Sequence, residues 1–296
     1  IRDLIKVAAL EKPSLIFYNI FIKQGYANAN GYVQFDKSGK INNYKLNGQI
    51  KNADLKYNKN YSFKNINFDF KNQKEGTLIS NAEFNYKKIK LLSNEIFIPS
   101  NPEITTINGD IRNEKVTINL KEFKSLFEND FSFIKDQEIT FETKNKFSFK
   151  IQKGKIKKLK YSSQIDLDSM SLSPKNNFFK NYFDNYNDSI LLANNSIKLE
   201  YENKNFNVEG VSNYSFGKLY DKIEYKIQQK KNTYGFLALI DFDQNSFKIK
   251  PIEYSKEKNK KSNLELRGSY NKNKISFNEI NYNEGKNFFE VKDLIL

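Results

Sequence analysis

Apolar and polar residues alternate along most of this chain. Leu78, Ser80, Ala82, Phe84 and Tyr86 are predicted to point one way, and Ile79, Asn81, Glu83 and Asn85 the other. The pattern returns at Ile139, Phe141 and Thr143, at Phe147, Phe149 and Ile151, at Ile197, Leu199 and Tyr201, at Ile223, Tyr225 and Ile227, and at Leu264 and Leu266. A period of two is the signature of half-buried β-strands. In places the apolar phase slips by one residue. Leu46, Gly48 and Ile50 give way to Ala53, Leu55 and Tyr57, and Tyr61 and Phe63 give way to Ile66, Phe68 and Phe70. Each slip predicts a β-bulge, which bends the strand and sharpens its twist, as a curved sheet requires. Turn signals such as Asp36-Lys37-Ser38-Gly39 and Asn58-Lys59-Asn60 separate the strands. The expected fold is all-β: a long twisted antiparallel sheet curled into an open groove, or half-pipe, with one to three short helices.

Three segments have helical spacing. Ile1, Leu4, Ile5 and Ala8 do so before Pro13, and residues 121–134 carry Phe123, Leu126, Phe127 and Phe131. Ser173-Pro174 reads as an N-cap followed by a first-turn proline, leading into an aromatic stripe of Phe178, Phe179, Tyr182, Phe183 and Tyr186. That stripe is either ordinary core packed on the sheet or a lid helix over an apolar groove or membrane surface. So few helices cannot cover the apolar face of so many strands. The face must be hidden by closing the sheet, by a second sheet, or by an apolar ligand.

No Pro/Gly/Ser linker marks a boundary, so residues 1–296 read as one continuous segment, loosely subdivided near 173–190. The chain opens on Ile1 and stops in a strand-like run, 288–296, and is therefore expected to be a piece of a longer protein. The most apolar stretch, residues 15–21 (LIFYNIF), is far too short to span a bilayer as a helix.

The net charge is +14, and Arg2, Arg112 and Arg267 are the only arginines. Lysine is expected on every strand. Together with abundant Asn, Ile, Phe and Tyr it reads mainly as genome bias and solubility rather than an anionic partner. A nucleic-acid binder would show arginine clusters or a basic stripe with stacking aromatics, so no nucleic-acid partner is expected. Cysteine is absent, which excludes disulfides and thiolate chemistry and suits a disulfide-free periplasm or a cytosol equally. Histidine is absent as well, removing the commonest general base and metal ligand. Zinc sites and Ser–His or Cys–His machinery have no members to assemble from, and no Gly-x-Gly cradle exists. Asp166 with Asp168, and Asp241 with Asp243, each share a strand face. Asp241-x-Asp243-x-Asn245 opens like a calcium loop, but Phe247 and Lys248 follow where glycine and acidic ligands are needed. These carboxylates read as the solvent face and turn of a hairpin. No enzyme, cofactor or metal is expected.

Certain segments carry a recurring cadence of strand, glycine, asparagine inclusion and strand. Gly31-Tyr32-Val33-Gln34-Phe35 precedes a turn and then Leu46-Asn47-Gly48-Gln49-Ile50-Lys51-Asn52-Ala53-Asp54-Leu55, followed by Phe63-Lys64-Asn65-Ile66-Asn67-Phe68-Asp69-Phe70. Phe206-Asn207-Val208-Glu209-Gly210 leads to 236–242 and then to Phe247-Lys248-Ile249. This cadence resembles the β-rich periplasmic region of the AsmA-like family, of the YhdP/TamB type. The resemblance implies a bridge-like, periplasmic lipid transfer protein. Its inner-membrane anchoring would lie outside this segment, and its apolar groove would carry phospholipid or other acyl lipid toward the outer membrane. The family supplies no catalytic residues. From the alternation, the groove candidates are Leu46, Ile50, Phe68, Phe84, Phe141, Phe149, Leu199, Tyr225 and Leu266. Lys45, Lys51, Lys64, Lys87 and Lys198 are expected on the opposite, solvated face. The alternatives are a closed β-sandwich or barrel serving as a structural or adhesion module without lipid cargo, and an outer-membrane barrel.

Overall fold

A computed structural model describes residues 22–56, 61–100, 105–127, 133–152, 155–174, 177–183, 186, 188–271 and 274–296. The first expected helix, at 1–11, lies outside them. The strands are β1 (Ile22–Phe35), β2 (Ile41–Lys56), β3 (Ser62–Gln73), β4 (Gly76–Tyr86), β5 (Ile89–Pro99), β6 (Thr105–Asn119), β7 (Glu138–Gln152), β8 (Lys155–Leu172) and β9 (Ile190–Glu202). They continue as β10 (Asn205–Ser215), β11 (Asp221–Lys230), β12 (Thr233–Asp241), β13 (Phe247–Ile249), β14 (Tyr254–Lys256), β15 (Asn263–Asn271), β16 (Lys274–Glu284) and β17 (Asn287–Ile295). Fifteen of them form one sheet in chain order, each beside its sequence neighbour, and only β13 and β14 leave it as a separate hairpin. The sheet ends in β1 and β17 and is not closed into a barrel. The open all-β expectation therefore holds. A closed barrel does not, because the fifteen strands do not join into a ring.

Two compact units divide the chain. Among the described residues the first comprises 22–114 and 144–161, and the second 115–143 and 162–296. Segment 173–190 falls inside the second unit.

The helix expected at 121–134 is shorter. It forms α1 (Leu120–Phe127), and Ile134 instead makes a β-bridge to Leu172. Asn119 caps α1, its Oδ1 accepting from the Glu122 N–H at 2.9 Å, so the start is set by local chemistry. Ser173-Pro174 does not open a helix. Among its described residues the aromatic stripe holds a five-residue 3-10 turn, Asn177–Asn181, in place of a helix.

The phase slips are bulges. Asn52, Asn65 and Asn81, in β2, β3 and β4, each have φ 51°, a left-handed conformation that asparagine tolerates better than most L-residues. The β2–β3 register shifts between Ile50 and Ala53 and again between Ala53 and Leu55, and the β3–β4 register shifts between Lys64 and Asn67. Bulging frees backbone N–H groups, and neighbouring polar side chains take them up. Asn52 N–H donates to Asn67 Oδ1 at 2.9 Å, and Asn65 N–H to Asp54 Oδ1 at 3.0 Å. The result is that Ile50 pairs with Phe68 and Ala53 with Ile66 on one face, although Ile50 and Ala53 are three residues apart. The same device corrects the reading of β4. Ile79 pairs with Phe70, and Tyr86 with Phe63, on the apolar face, so Leu78 and Ser80 lie on the other one.

Replacing Asn65 with valine is expected to destabilise the first unit by about 1–2 kcal/mol, because a β-branched residue pays the full left-handed penalty. Asn65→Gly should be nearly neutral. Urea midpoints followed by far-UV circular dichroism check this, and equal midpoints for the two variants would contradict it.

Candidate functional site

In the second unit the cross-strand rows assemble one apolar face. Leu199 pairs with Val208, Val208 with Ile227, and Ile227 with Phe236. The next row runs Gly210, Tyr225, Ala238, Leu266, Ile280 and Val291. A third runs Ser212, Ile223, Ile240, Leu264, Tyr282 and Phe289. Directly paired residues share a face, so strict pairing carries the apolar stripe across six strands. Gly210 belongs to the row for a steric reason: a Cβ there would lie 2.2 Å from Tyr225 Cζ, and the tyrosine ring occupies that space.

Two segments fold over this face. One is the aromatic stripe, with Phe183 and Tyr186 buried. The other is the β13–β14 hairpin, whose Phe247 is buried. Phe183 lies 4.1 Å from Phe216, centroid to centroid, and 5.8 Å from both Phe242 and Phe247. The Lys248 N–H donates to Tyr182 O at 2.9 Å, tying hairpin to stripe. Beneath them lies a cavity of about 1020 Å³ lined by Tyr225, Leu266, Ile223 and Ile240 from the sheet and by Phe179 and Phe183 from the cover. That volume sits at the upper end of ordinary ligand pockets. Ile252 and Phe288 also line it and are 58% and 79% exposed, which places its mouth between the short turn at Lys250–Ile252 and edge strand β17.

Of the groove candidates, Tyr225 and Leu266 line this cavity, and Leu199 lies one row away on the same face. Phe141 is also in the second unit, buried against Phe123 of α1 with ring centroids 6.0 Å apart. Leu46, Ile50, Phe68 and Phe84 share the apolar face of the first unit, where Phe63 packs 5.7 Å from Phe84. Phe149 is there too, stacked on Phe147 at 5.9 Å. In the stripe, Phe179, Tyr182 and Phe183 line the cavity and Tyr186 joins the aromatic cluster; Phe178 lies in the 3-10 turn. On the opposite face Lys51, Lys64 and Lys198 are exposed, whereas Lys45 is half-buried; Lys87 is exposed too but lies in the β4–β5 turn, its ammonium 5.4 Å from the centre of the Tyr86 ring.

Asp166 accepts from Ser196 Oγ at 2.9 Å, and Asp168 pairs with Lys115 at 2.6 Å; both sit on the polar face as expected. The loop after Asp241 departs from its reading as a solvated turn. Lys256 is only 1% exposed, and its ammonium donates to the carbonyls of Phe242, Asp243 (3.1 Å) and Asn245 (2.9 Å). Asp221 secures the same loop from β11, accepting from the Gln244 N–H at 2.9 Å and the Asn245 side-chain amide at 2.7 Å. The loop that opens like a calcium site thus wraps a cation of its own. Burial pushes the Lys256 ammonium below the usual lysine value, against the pull of Asp221 and Asp243. Sequence reasoning missed this because Lys256 is one lysine among many, and its partners are backbone carbonyls that no side-chain pattern reveals. Among the described residues no cluster of three or more acidic side chains could hold a metal.

Burial is also the chief reason that the tyrosines of this face, Tyr214, Tyr225, Tyr254 and Tyr282, are held above the ordinary tyrosine value of 10.0. The unfolded chain therefore loses these phenolic protons first. Stability is fully present below pH 10 and falls as pH rises above it. Tyr214, whose hydroxyl donates to Asp241 O at 2.5 Å, should account for part of the slope. Urea midpoints measured from about pH 9 to 11 should fall steeply in the parent and less steeply in Tyr214→Phe. A flat profile in the parent would contradict this assignment.

No family model, curated protein or solved structure matches this chain.

Proposed function

We propose that this segment is a non-enzymatic lipid carrier that shelters the acyl chains of phospholipid, or of another acyl lipid, along the apolar face of its sheet. The observation that carries this reading is the cavity of about 1020 Å³ in the second unit, walled almost entirely by aliphatic and aromatic side chains. Such a wall offers little to a polar substrate and much to a hydrocarbon chain. Each methylene withdrawn from water is worth roughly 0.8 kcal/mol, so ten of them gain about 8 kcal/mol before ordering costs. The open sheet and its strand cadence further support a role of the AsmA-like kind, with the segment in the periplasm of a two-membrane envelope and anchoring supplied by parts of the protein beyond it.

Native mass spectrometry of the purified chain, with lipid extraction, tests the reading. Co-purified phospholipid, or uptake of acyl lipid from vesicles, is the expected result. A chain that arrives empty and takes up no acyl lipid would leave the cavity as mere packing space.

A further inference from the structure

Lysine is not evenly spread. Between Glu142 and Asp166 the chain carries eight lysines, no arginine and no acidic residue, against a net charge of +14 for all 296 residues. The described residues of this stretch lie on the adjoining ends of β7 and β8, and the lysines fall within 144–161 of the first unit. No ion pair is formed by Lys150, Lys157 or Lys158 among the described residues. From Ile156 to Lys160 every residue is exposed, so neither face of this strand end is covered.

The apolar residues here are also uncovered. Ile156 is 62% exposed and Leu159 37%. Between them Lys158 has φ 49°, repeating the geometry of Ile50, Asn52 and Ala53, in which a left-handed residue brings positions three apart onto one face. Ile156 and Leu159 are thereby placed on one side of the strand, with Lys157 on the other. A solvated strand end carrying two large aliphatics beside Lys157 and Lys158 is costly in water and suited to a phase boundary.

We propose that this end of the β7–β8 hairpin docks on an anionic lipid surface, with Lys150, Lys157 and Lys158 at the headgroups and Ile156 and Leu159 entering the interface. Lysine near an anionic leaflet gains about 1 kcal/mol per residue, and shallow burial of aliphatics adds a term that salt does not screen. A nucleic acid fits less well, because the segment has no arginine to grip phosphate bidentately and exposes aliphatics rather than stacking rings.

The test is flotation of the full 296-residue chain with vesicles of phosphatidylcholine alone or of phosphatidylcholine mixed with phosphatidylglycerol. The parent should float only with the anionic mixture. The triple variant Lys150→Glu, Lys157→Glu, Lys158→Glu should lose at least about a hundredfold in partitioning, and the corresponding glutamine triple should lose somewhat less. A control triple at Lys218, Lys230 and Lys261, with the same change in net charge, should float like the parent. Ile156→Ser with Leu159→Ser should abolish the binding that survives at high salt. Far-UV circular dichroism and co-purified lipid should be unchanged throughout, which separates this docking surface from the cavity. Equal loss in the control triple, equal flotation with neutral vesicles, or displacement from vesicles by a single-stranded oligonucleotide would each overturn the proposal.

Discussion

Leu266→Asp is expected to empty the cavity of acyl lipid, while Lys198→Asp leaves the load unchanged. Leu266 lines the cavity between Ala238 and Ile280. A carboxylate there has no cation to pair with along its row, and an unpaired charge against hydrocarbon costs several kcal/mol. Lys198 lies on the other face, bonded to exposed Glu200 at 2.8 Å, a solvated pair that water and salt screen. Lipid content by native mass spectrometry should fall at least tenfold in the first variant. Leu266→Ala, which removes bulk without adding charge, should keep its lipid. On the proposed carrier function, Leu199→Asp and Phe149→Asp should likewise lower the acyl-lipid load while the chain stays folded. Folded Asp variants that retain their lipid would mean that the apolar face is only a core.

Lys256→Met should produce the largest loss of stability among the single changes considered. The ammonium satisfies three backbone carbonyls and faces the acidic side chains Asp221 and Asp243. Methionine fills a similar volume but leaves those carbonyls dry and the two carboxylates without their cation. Breaking a buried charged cluster on one side costs about 3–5 kcal/mol. The expected readout is a much lower urea midpoint, together with loss of the cavity's roof, because Phe242 and Phe247 flank this loop. Lys260→Met, which removes an exposed lysine bonded to Glu257 at 2.9 Å, should change the midpoint little. Equal midpoints for the two variants would show that the Lys256 contacts carry no net stabilisation.

The strands and even their bulges were legible because both have local causes. The slip from Ile50 to Ala53 shows in the order of apolar residues, and the asparagine that makes it possible stands at the slip. Leu78 and Ser80 were misassigned because the apolar pattern of β4 is satisfied on either side of Asn81, and only pairing with Phe70 and Phe63 decides between them. The helix at 121–134 was overextended for a related reason. Its aromatic spacing continues, but Ile134 is held by a β-bridge to Leu172, 38 residues later in the chain. Lys256 left no trace at all, since a buried lysine and a solvated one are the same letter.

The sequence by itself determined an all-β chain, the period of its strands, the places where their phase slips in β2 and β3, and the lack of histidine and cysteine chemistry. Each follows from side-chain type and spacing over a few residues. Tertiary structure alone decided that the fifteen strands stay in one open sheet. It also decided that the aromatic stripe and the β13–β14 hairpin meet over the second unit's apolar face, and that a cavity remains beneath them. Those outcomes depend on backbone pairing and on packing between residues far apart in the chain. A hydrophobic pattern sets which residues must leave water, but not which of their many partners they meet when they do.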